Sequence, residues 1–543
     1  MKGRTRQRRP AARVSEDPVP SSETASPRSG LHRSLALVLA AAAALLAAVL
    51  SQGLFSGMPR IGDEVAYVLQ GRIFSAGSLF LAPPAVAEAF AVDNVILTAD
   101  RWCGKYPPGF PLLLAAGWLA GAPWLVNPLL FGLVVYGLFR LGSKLYDSGT
   151  ALAGALLFAC LPFAFLQAAS FMSHVASLAF VVWCLSLLAD GHSEKSTPRL
   201  LAAGLLGGMA FLVRPMSAAF LLPVPGLLIL WMFYPRGARL RAAGTTIAGG
   251  LLPLAFLLWT QWRTFGSPFL SGYAVFDPAE GFLGNRHGTR RLAEIFRENV
   301  RWYGESLPRA LWAIPGPPIL WLALVLLRPR KEDLVIAAAG GGLVLGYLCY
   351  YFRDVLYGGP RFALEATAFF ALLLARSMAN AAGSLATRIR WPVARSATFR
   401  PALLMVTTTL LCAATVWRET PKIRAHSRSY GGVPDDPMAG ADRAGVGPDA
   451  LILVDFEDPR RSLEYTAADA PSFSAYLFRN ALDPSTGRRV FARALRGRER
   501  ELVTAYPRAE TWRVVVSLSL PTVEEAPMSG PSVLHGIRWM RVR

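Results

Sequence analysis

The sequence predicts an all-α polytopic membrane protein of about 11 transmembrane helices, followed by a small C-terminal extramembrane α/β domain. Three observations predict it. Hydrophobic residues make up 53% of the 543 and charged ones only 17%, where soluble domains carry roughly 25%. The apolar residues fall in runs of about 17–20, the length that crosses a ~30 Å hydrocarbon core. Residues 419–543 lose that character, being nearly charge-balanced and broken into short strand-like segments.

The formal net charge of +20 invites a nucleic-acid reading, and its placement argues against one. Residues 1–33 carry eight Lys or Arg against three Asp or Glu, and residues 376–400 carry five Arg and no acid. Arg236, Arg239 and Arg241 follow one apolar run, and Arg328, Arg330 and Lys331 another. Basic residues in short loops mark the cytoplasmic side. The charge is a topology signal, and no nucleic acid is expected as a partner. Of five cysteines, Cys160, Cys184, Cys349 and Cys412 lie in apolar runs and only Cys103 in a polar loop. Neither a disulfide framework nor a Cys-x-x-Cys zinc pattern follows.

Residues 1–31 are basic and rich in Pro, Ser and Arg, the composition of a disordered cytoplasmic tail. Residues 32–52 form the first span, longer than a signal-peptide core and so read as uncleaved. A polar outer loop, residues 53–123, follows. Within it, residues 63–76 place Val65, Leu69 and Ile73 on one side and Asp63, Tyr67 and Gln70 on another. That spacing predicts an amphipathic helix lying on the membrane surface. Residues 110–120 are apolar but too short to cross, whereas residues 124–141 are long enough. Counting one span here keeps every later basic loop inside, so residues 110–120 read as a surface or re-entrant helix. Further spans are predicted at residues 150–168, 171–189, 199–213, 216–233, 243–262, 310–327, 334–351, 360–375 and 402–417. They complete a transmembrane domain over residues 32–418, with a cytoplasmic N-terminus and a periplasmic or extracellular C-terminus. In the domain 419–543, residues 451–456, 489–494 and 511–518 read as strands and residues 497–505 as a helix.

Asp63 and Glu64 are the candidate catalytic pair. Acids are favoured at a helix N-terminus by the macrodipole, and Gly62-Asp63 suits a cap. Their place just outside the first span equally suits a general base for an incoming hydroxyl. In Lys105-Tyr106-Pro107-Pro108-Gly109, two prolines fix the backbone ahead of a helix. Lys105 then either snorkels or is a cation held at headgroup depth to bind a lipid phosphate. Arg214 separates two apolar runs, where a charge is costly unless it reaches water or a partner. It reads as a snorkelling residue or as a second phosphate cation. Arg353, Asp354, Tyr357 and Arg361 cluster around Gly358-Gly359-Pro360 in the last outer loop. Arg361 can face a phosphate there, and Glu365, one turn on, can pair with it. His174, near the outer end of its span, reads as a hydrogen-bonded helix-end histidine or as a ligand. Tyr67, Tyr106, His174 and Tyr357 are the candidate substrate-binding residues. Arg286, His287, Arg290, Arg291 and Arg301 read as a solvated face or headgroup contacts.

In this order the pieces resemble the GT-C glycosyltransferases, especially the branch with the protein O-mannosyltransferases and the lipid A aminoarabinose transferase (glycosyltransferase family 39-like). The resemblance covers about residues 35–417. It rests on the topology, Gly62-Asp63-Glu64 in the first outer loop, the Lys105-x-Pro-Pro turn and the late Gly359-Pro360-Arg361. It implies a GT-C fold, a polyprenyl-phosphate sugar donor and a reaction at the outer face of a cytoplasmic (inner) membrane. By position it implies Asp63 as the catalytic acid residue and Lys105 as the donor-phosphate lysine. The acceptor is left open as a lipid, a glycan or a protein. Many relatives carry a second acid in the short outer loop between spans three and four, where this chain has Gln167, Ser173 and His174. A divalent metal (Mg or Mn) is then left with Glu64 and His174 as candidate ligands. Two readings compete with glycosyl transfer. A flippase or transporter for the lipid-linked sugar is disfavoured by the few charges inside the spans. A non-catalytic membrane scaffold displaying the C-terminal domain implies that Asp63 and Lys105 are dispensable.

Overall fold

A computed structural model describes residues 27–190, 197–278, 292–314, 325, 328–388, 398–426, 436–457, 476–519 and 533–542. Helix α1 (Pro27–Gly53) begins inside the stretch expected as a tail and takes up the first apolar run. The first loop holds α2 (Gly62–Ser75), a hairpin of β1 (Val95–Leu97) and β2 (Trp102–Gly104), and α3 (Gly109–Leu119). α3 has 11 residues, too short to cross, as its sequence predicts. α4 (Val126–Leu145) follows. α5 (Ser148–Ala159) and α6 (Pro162–Ala169) replace the straight span expected at residues 150–168 and are bent by 64°. Pro162 is the cause. It lacks an N–H to continue the ladder and holds Leu161 in extended backbone.

α7 (His174–Asp190) and α8 (Thr197–Val213) come next, then α9 (Pro215–Leu221), α10 (Pro223–Phe233) and α11 (Arg236–Phe265). α8 and α11 pack at backbone distance. A methyl group on Gly204 would sit 1.8 Å from the Thr246 carbonyl oxygen, so only glycine fits. α12 (Gly272–Phe276), α13 (Leu292–Ala310) and α14 (Lys331–Leu348) lead to a tight hairpin of β3 (Val355–Leu356) and β4 (Gly359–Pro360). α15 (Leu364–Arg388) and α16 (Phe399–His426) close the helical part. Among the described residues, six helices are long and apolar enough to cross a membrane, or seven with the bent pair. Ten of the eleven predicted segments are helical. The eleventh, residues 310–327, lies largely outside the described residues, as do Arg286, His287, Arg290 and Arg291. α7 and α8 are shorter, 17 residues each, and α14 opens on Lys331, Glu332 and Asp333.

The C-terminal unit contains α17 (Pro437–Arg443), β5 (Ala450–Glu457), β6 (Arg489–Arg493), α18 (Glu499–Ala505), β7 (Glu510–Ser519) and β8 (Val533–Arg541). The sheet order is β6-β5-β7-β8, with β5 parallel to β6 and β7 and β8 antiparallel to β7. Three strands and α18 fall where the sequence predicts them, and β8 is an addition. The unit does not stand apart from the first loop. Ala66, Phe90, Val95 and Trp102 share one apolar core with Ile452, Val454, Phe491 and Tyr506. The Tyr506 hydroxyl donates to the Ala85 carbonyl at 2.7 Å, and Arg493 to that of Ala91 at 3.0 Å. Arg72, in the last turn of α2, donates to the carbonyls of Phe478 and Asn480 at 3.0 and 2.8 Å. α2 is therefore not a surface helix with one covered face. Val65, Tyr67, Val68, Gln70 and Ile73 are all buried, on several sides of it.

Candidate active site

Asp63 stands in the first turn of α2, where Ile61 enters in extended backbone. Its Oδ1 accepts from the Tyr106 hydroxyl at 2.6 Å and from Arg361 Nη1 at 3.2 Å. Asn94 donates to Oδ2 at 3.5 Å. Arg361 is also paired with Asp354 at 3.1 Å. Burial raises the Asp63 carboxyl, but Arg361, the Tyr106 hydroxyl and Lys105 outweigh it and hold it below the ordinary carboxylate range. The side chain keeps 19% of its surface exposed, so an ionised carboxylate remains reachable.

Glu64 behaves differently. It is 0% exposed. Its Oε1 accepts from the Tyr357 hydroxyl at 2.6 Å and its Oε2 from the Arg60 backbone N–H at 2.7 Å. Burial pushes its carboxyl up to about 7, against the lowering effect of those two donors. In this conformation Glu64 is closed off from solvent, whereas its neighbour Asp63 is partly exposed.

Lys105 lies where the Pro-Pro turn predicts, at the entry to α3, and is buried. Its Nζ sits 4.4 Å from the ring centroid of Phe276, 5.4 Å from Tyr273 and 5.6 Å from Tyr106, at the distance of cation–π contacts. α12 approaches so closely that a methyl group on Gly272 would sit 2.3 Å from the Lys105 carbonyl oxygen. Lys105, Tyr106, Tyr273, Gln70, Gln261 and Thr264 line a small open cleft between α2, α11 and α12.

A second cluster lies beneath. Tyr67 stacks on Tyr106 at 4.3 Å between centroids, and its hydroxyl is 2.8 Å from Ser173 Oγ. Burial pushes the Tyr67 hydroxyl up to about 12. Arg214 does not snorkel. It donates to Ser173 at 3.1 Å, pairs with Glu365 at 3.3 Å and reaches the Tyr347 hydroxyl at 3.5 Å. His174 Nδ1 is 3.1 Å from the other oxygen of Glu365, and both side chains are fully buried. Glu365 thus pairs with Arg214 and His174 rather than with Arg361. Arg214 is held in this cluster by Ser173, Glu365 and the Tyr347 hydroxyl.

Four candidates are linked in a chain of contacts: Asp63 touches Tyr106 and Arg361 directly, and Lys105 Nζ stands 5.6 Å from the Tyr106 ring. Tyr67, Arg214 and His174 lie below, and Glu64 with Tyr357 to one side. The reading missed Asn94, Tyr273 and Tyr347. Tyr347 carried a usable signal, as an aromatic near the end of an apolar run, whereas Tyr273 lies in the loop beyond one. A metal site built on Glu64 and His174 does not assemble. Each is bonded to protein partners, and no group of three or more His, Cys, Asp or Glu side chains gathers among the described residues.

Residues 120–262 match the family model described as dolichyl-phosphate-mannose-protein mannosyltransferase. That segment contains His174 and Arg214 but neither Asp63, Lys105 nor Arg361. No curated protein sequence matches the chain. Among solved structures, ArnT from Cupriavidus metallidurans in the apo state is similar with a TM-score of 0.49 at 15% identity, covering 90% of this chain and 94% of that one. The same protein bound to undecaprenyl phosphate gives 0.49 and 15%, with 88% and 92% covered. The oligosaccharyltransferase AglB from Archaeoglobus fulgidus, in complex with an inhibitory peptide and a dolichol-phosphate, gives 0.45 and 13%, with 89% and 69% covered. Over residues 120–262 the chain is similar to the mannosyltransferase family, which bears out the GT-C resemblance of the sequence.

Proposed function

We propose that the chain transfers a sugar from a polyprenyl-phosphate donor to an acceptor hydroxyl, at the outer face of the cytoplasmic membrane and with inversion. The observation that carries this reading is the contact of a partly exposed Asp63, held below the ordinary carboxylate range, with Arg361 and with Tyr106, whose ring stands 5.6 Å from the Lys105 ammonium. The donor phosphate lies in the cleft beside Lys105, within reach of Arg361. As the bond from the sugar carbon to phosphate oxygen breaks, its electron pair stays on the phosphate. The two cations stabilise that charge, and the leaving group needs no general acid. The acceptor oxygen bonds to the opposite face of the sugar carbon and its proton passes to Asp63. A carboxylate of low basicity suits a late transfer, when the acceptor oxygen has become acidic by bonding to carbon. No step runs through a metal ion.

The test uses protein in nanodiscs, labelled polyprenyl-phosphate sugars and a membrane extract as acceptor. Asp63→Asn is expected to lose transfer while keeping fold and donor binding. Near-normal transfer by that variant removes Asp63 as the base. Transfer that stops with a chelator would require a metal this site does not explain. Donor binding without transfer in the wild type would favour a transporter, and no binding at all a scaffold.

A further inference from the structure

One short hairpin grips both carboxylates of the Asp63–Glu64 pair. Its β3–β4 turn holds Tyr357 at φ 55°, a left-handed conformation that a bulky side chain rarely adopts. Such a residue persists only where its surroundings over-determine it. Here they do. The Tyr357 ring packs edge-on to Phe55 at 5.2 Å, and its hydroxyl reaches Glu64 at 2.6 Å. On the next residue but one, a methyl group on Gly359 would sit 2.7 Å from the Phe163 ring, so the hairpin is pressed against α6. The hairpin's ends are Asp354 and Arg361, paired to each other, and Arg361 continues to Asp63. The tip is thus fixed to Glu64 and the base to its neighbour.

We infer that Glu64 and Tyr357 are positioning residues, a latch that sets Arg361 in register with Asp63, and that Glu64 acts only through it. The inference rests on the transfer reading above and goes beyond it in giving Glu64 a role other than catalysis. The titratable and charged groups facing Glu64 are Tyr357 from the hairpin, Arg60 from the segment before α2, and Asp63 on α2 itself. Both hydrogen bonds to Glu64 come from donors, so its ionised form is the better acceptor and the stronger latch. Glu64→Gln keeps a neutral latch. Its amide oxygen accepts from the Arg60 N–H and its NH₂ donates to the Tyr357 oxygen.

Wild type, Glu64→Gln and Tyr357→Phe are compared in nanodiscs from about pH 5 to about pH 9, for thermal stability without substrate and for transfer. A carboxyl raised in the folded state holds its proton longer there than in the unfolded chain. Wild-type stability should therefore fall as pH rises toward about 7. Glu64→Gln should lose that fall, and Tyr357→Phe should move it to higher pH, because the hydroxyl favours the ionised form. The wild-type kcat should rise over the same range and become flat in Glu64→Gln. Tyr357→Phe should lower kcat by up to about 100-fold, the scale of a ~1 Å misplacement of reacting groups. A rate limb near neutrality that survives Glu64→Gln overturns the latch, as does Tyr357→Phe at wild-type kcat. If no donor supports transfer by the wild type, the transfer reading fails. The stability curves still decide the latch, and an equal fall in wild type and Glu64→Gln overturns it.

Discussion

At the scale of single residues, the two adjacent acids show how environment divides a motif into roles. Asp63 meets the Arg361 guanidinium and the Tyr106 hydroxyl and keeps part of its surface exposed, and Glu64, one position on, points into a closed interior. A helix turns by about 100° per residue, so neighbours in sequence are bound to face different surroundings. Lys105→Ala is expected to weaken donor affinity with a smaller effect on kcat, and an unchanged apparent donor affinity would take Lys105 out of the phosphate site. In the second cluster, Glu365→Ala leaves Arg214 buried without a carboxylate. Removing one partner of a buried ion pair costs about 3–5 kcal/mol, so the variant should show a marked loss of thermal stability that Glu365→Gln only partly shares. Asp63, Lys105 and Arg361 were legible in the sequence because each lies in a short local motif beside an apolar run. The His174–Glu365–Arg214 cluster was not. Its members come from three elements up to 191 positions apart, and nothing local to each names the others.

At the scale of elements, length and proline explain most of what the sequence revealed and one thing it hid. α3 is short because its apolar run is short. The α5–α6 bend comes from Pro162, which stood in view inside a run otherwise long enough to be one span. β8 escaped because a strand added to a sheet edge is defined by its partner β7, and its own residues, Arg-rich and mixed, carry little pattern. α12, only five residues long, was invisible for a similar reason. It matters because it seats directly on the Lys105 carbonyl. Gly272→Ala should push it away, opening the aromatic surroundings of Lys105. The expected outcome is weaker donor binding with the helical part intact, measured by donor titration and by circular dichroism. Wild-type affinity in that variant would show that α12 does not shape the cleft.

At the scale of the whole molecule, the C-terminal sheet is half of the first loop's interior rather than an accessory. Deleting residues 437–543 uncovers Phe90, Val95 and Trp102. Transfer should be lost and the first loop should become open to limited proteolysis, while a freely appended domain would leave both unchanged. The same shared interior carries a rule of sidedness. Residues that form one core lie on one side of whatever bilayer the apolar helices cross. Between the first loop and the β5–β8 sheet, the chain must therefore pass through lipid an even number of times. The eleven segments of the sequence, less the first, leave ten. Counting α3 as a crossing, or α5 and α6 as two, each alone makes the sum odd. Labels placed in the first loop and in the sheet should therefore always be quenched from the same face of a sealed vesicle.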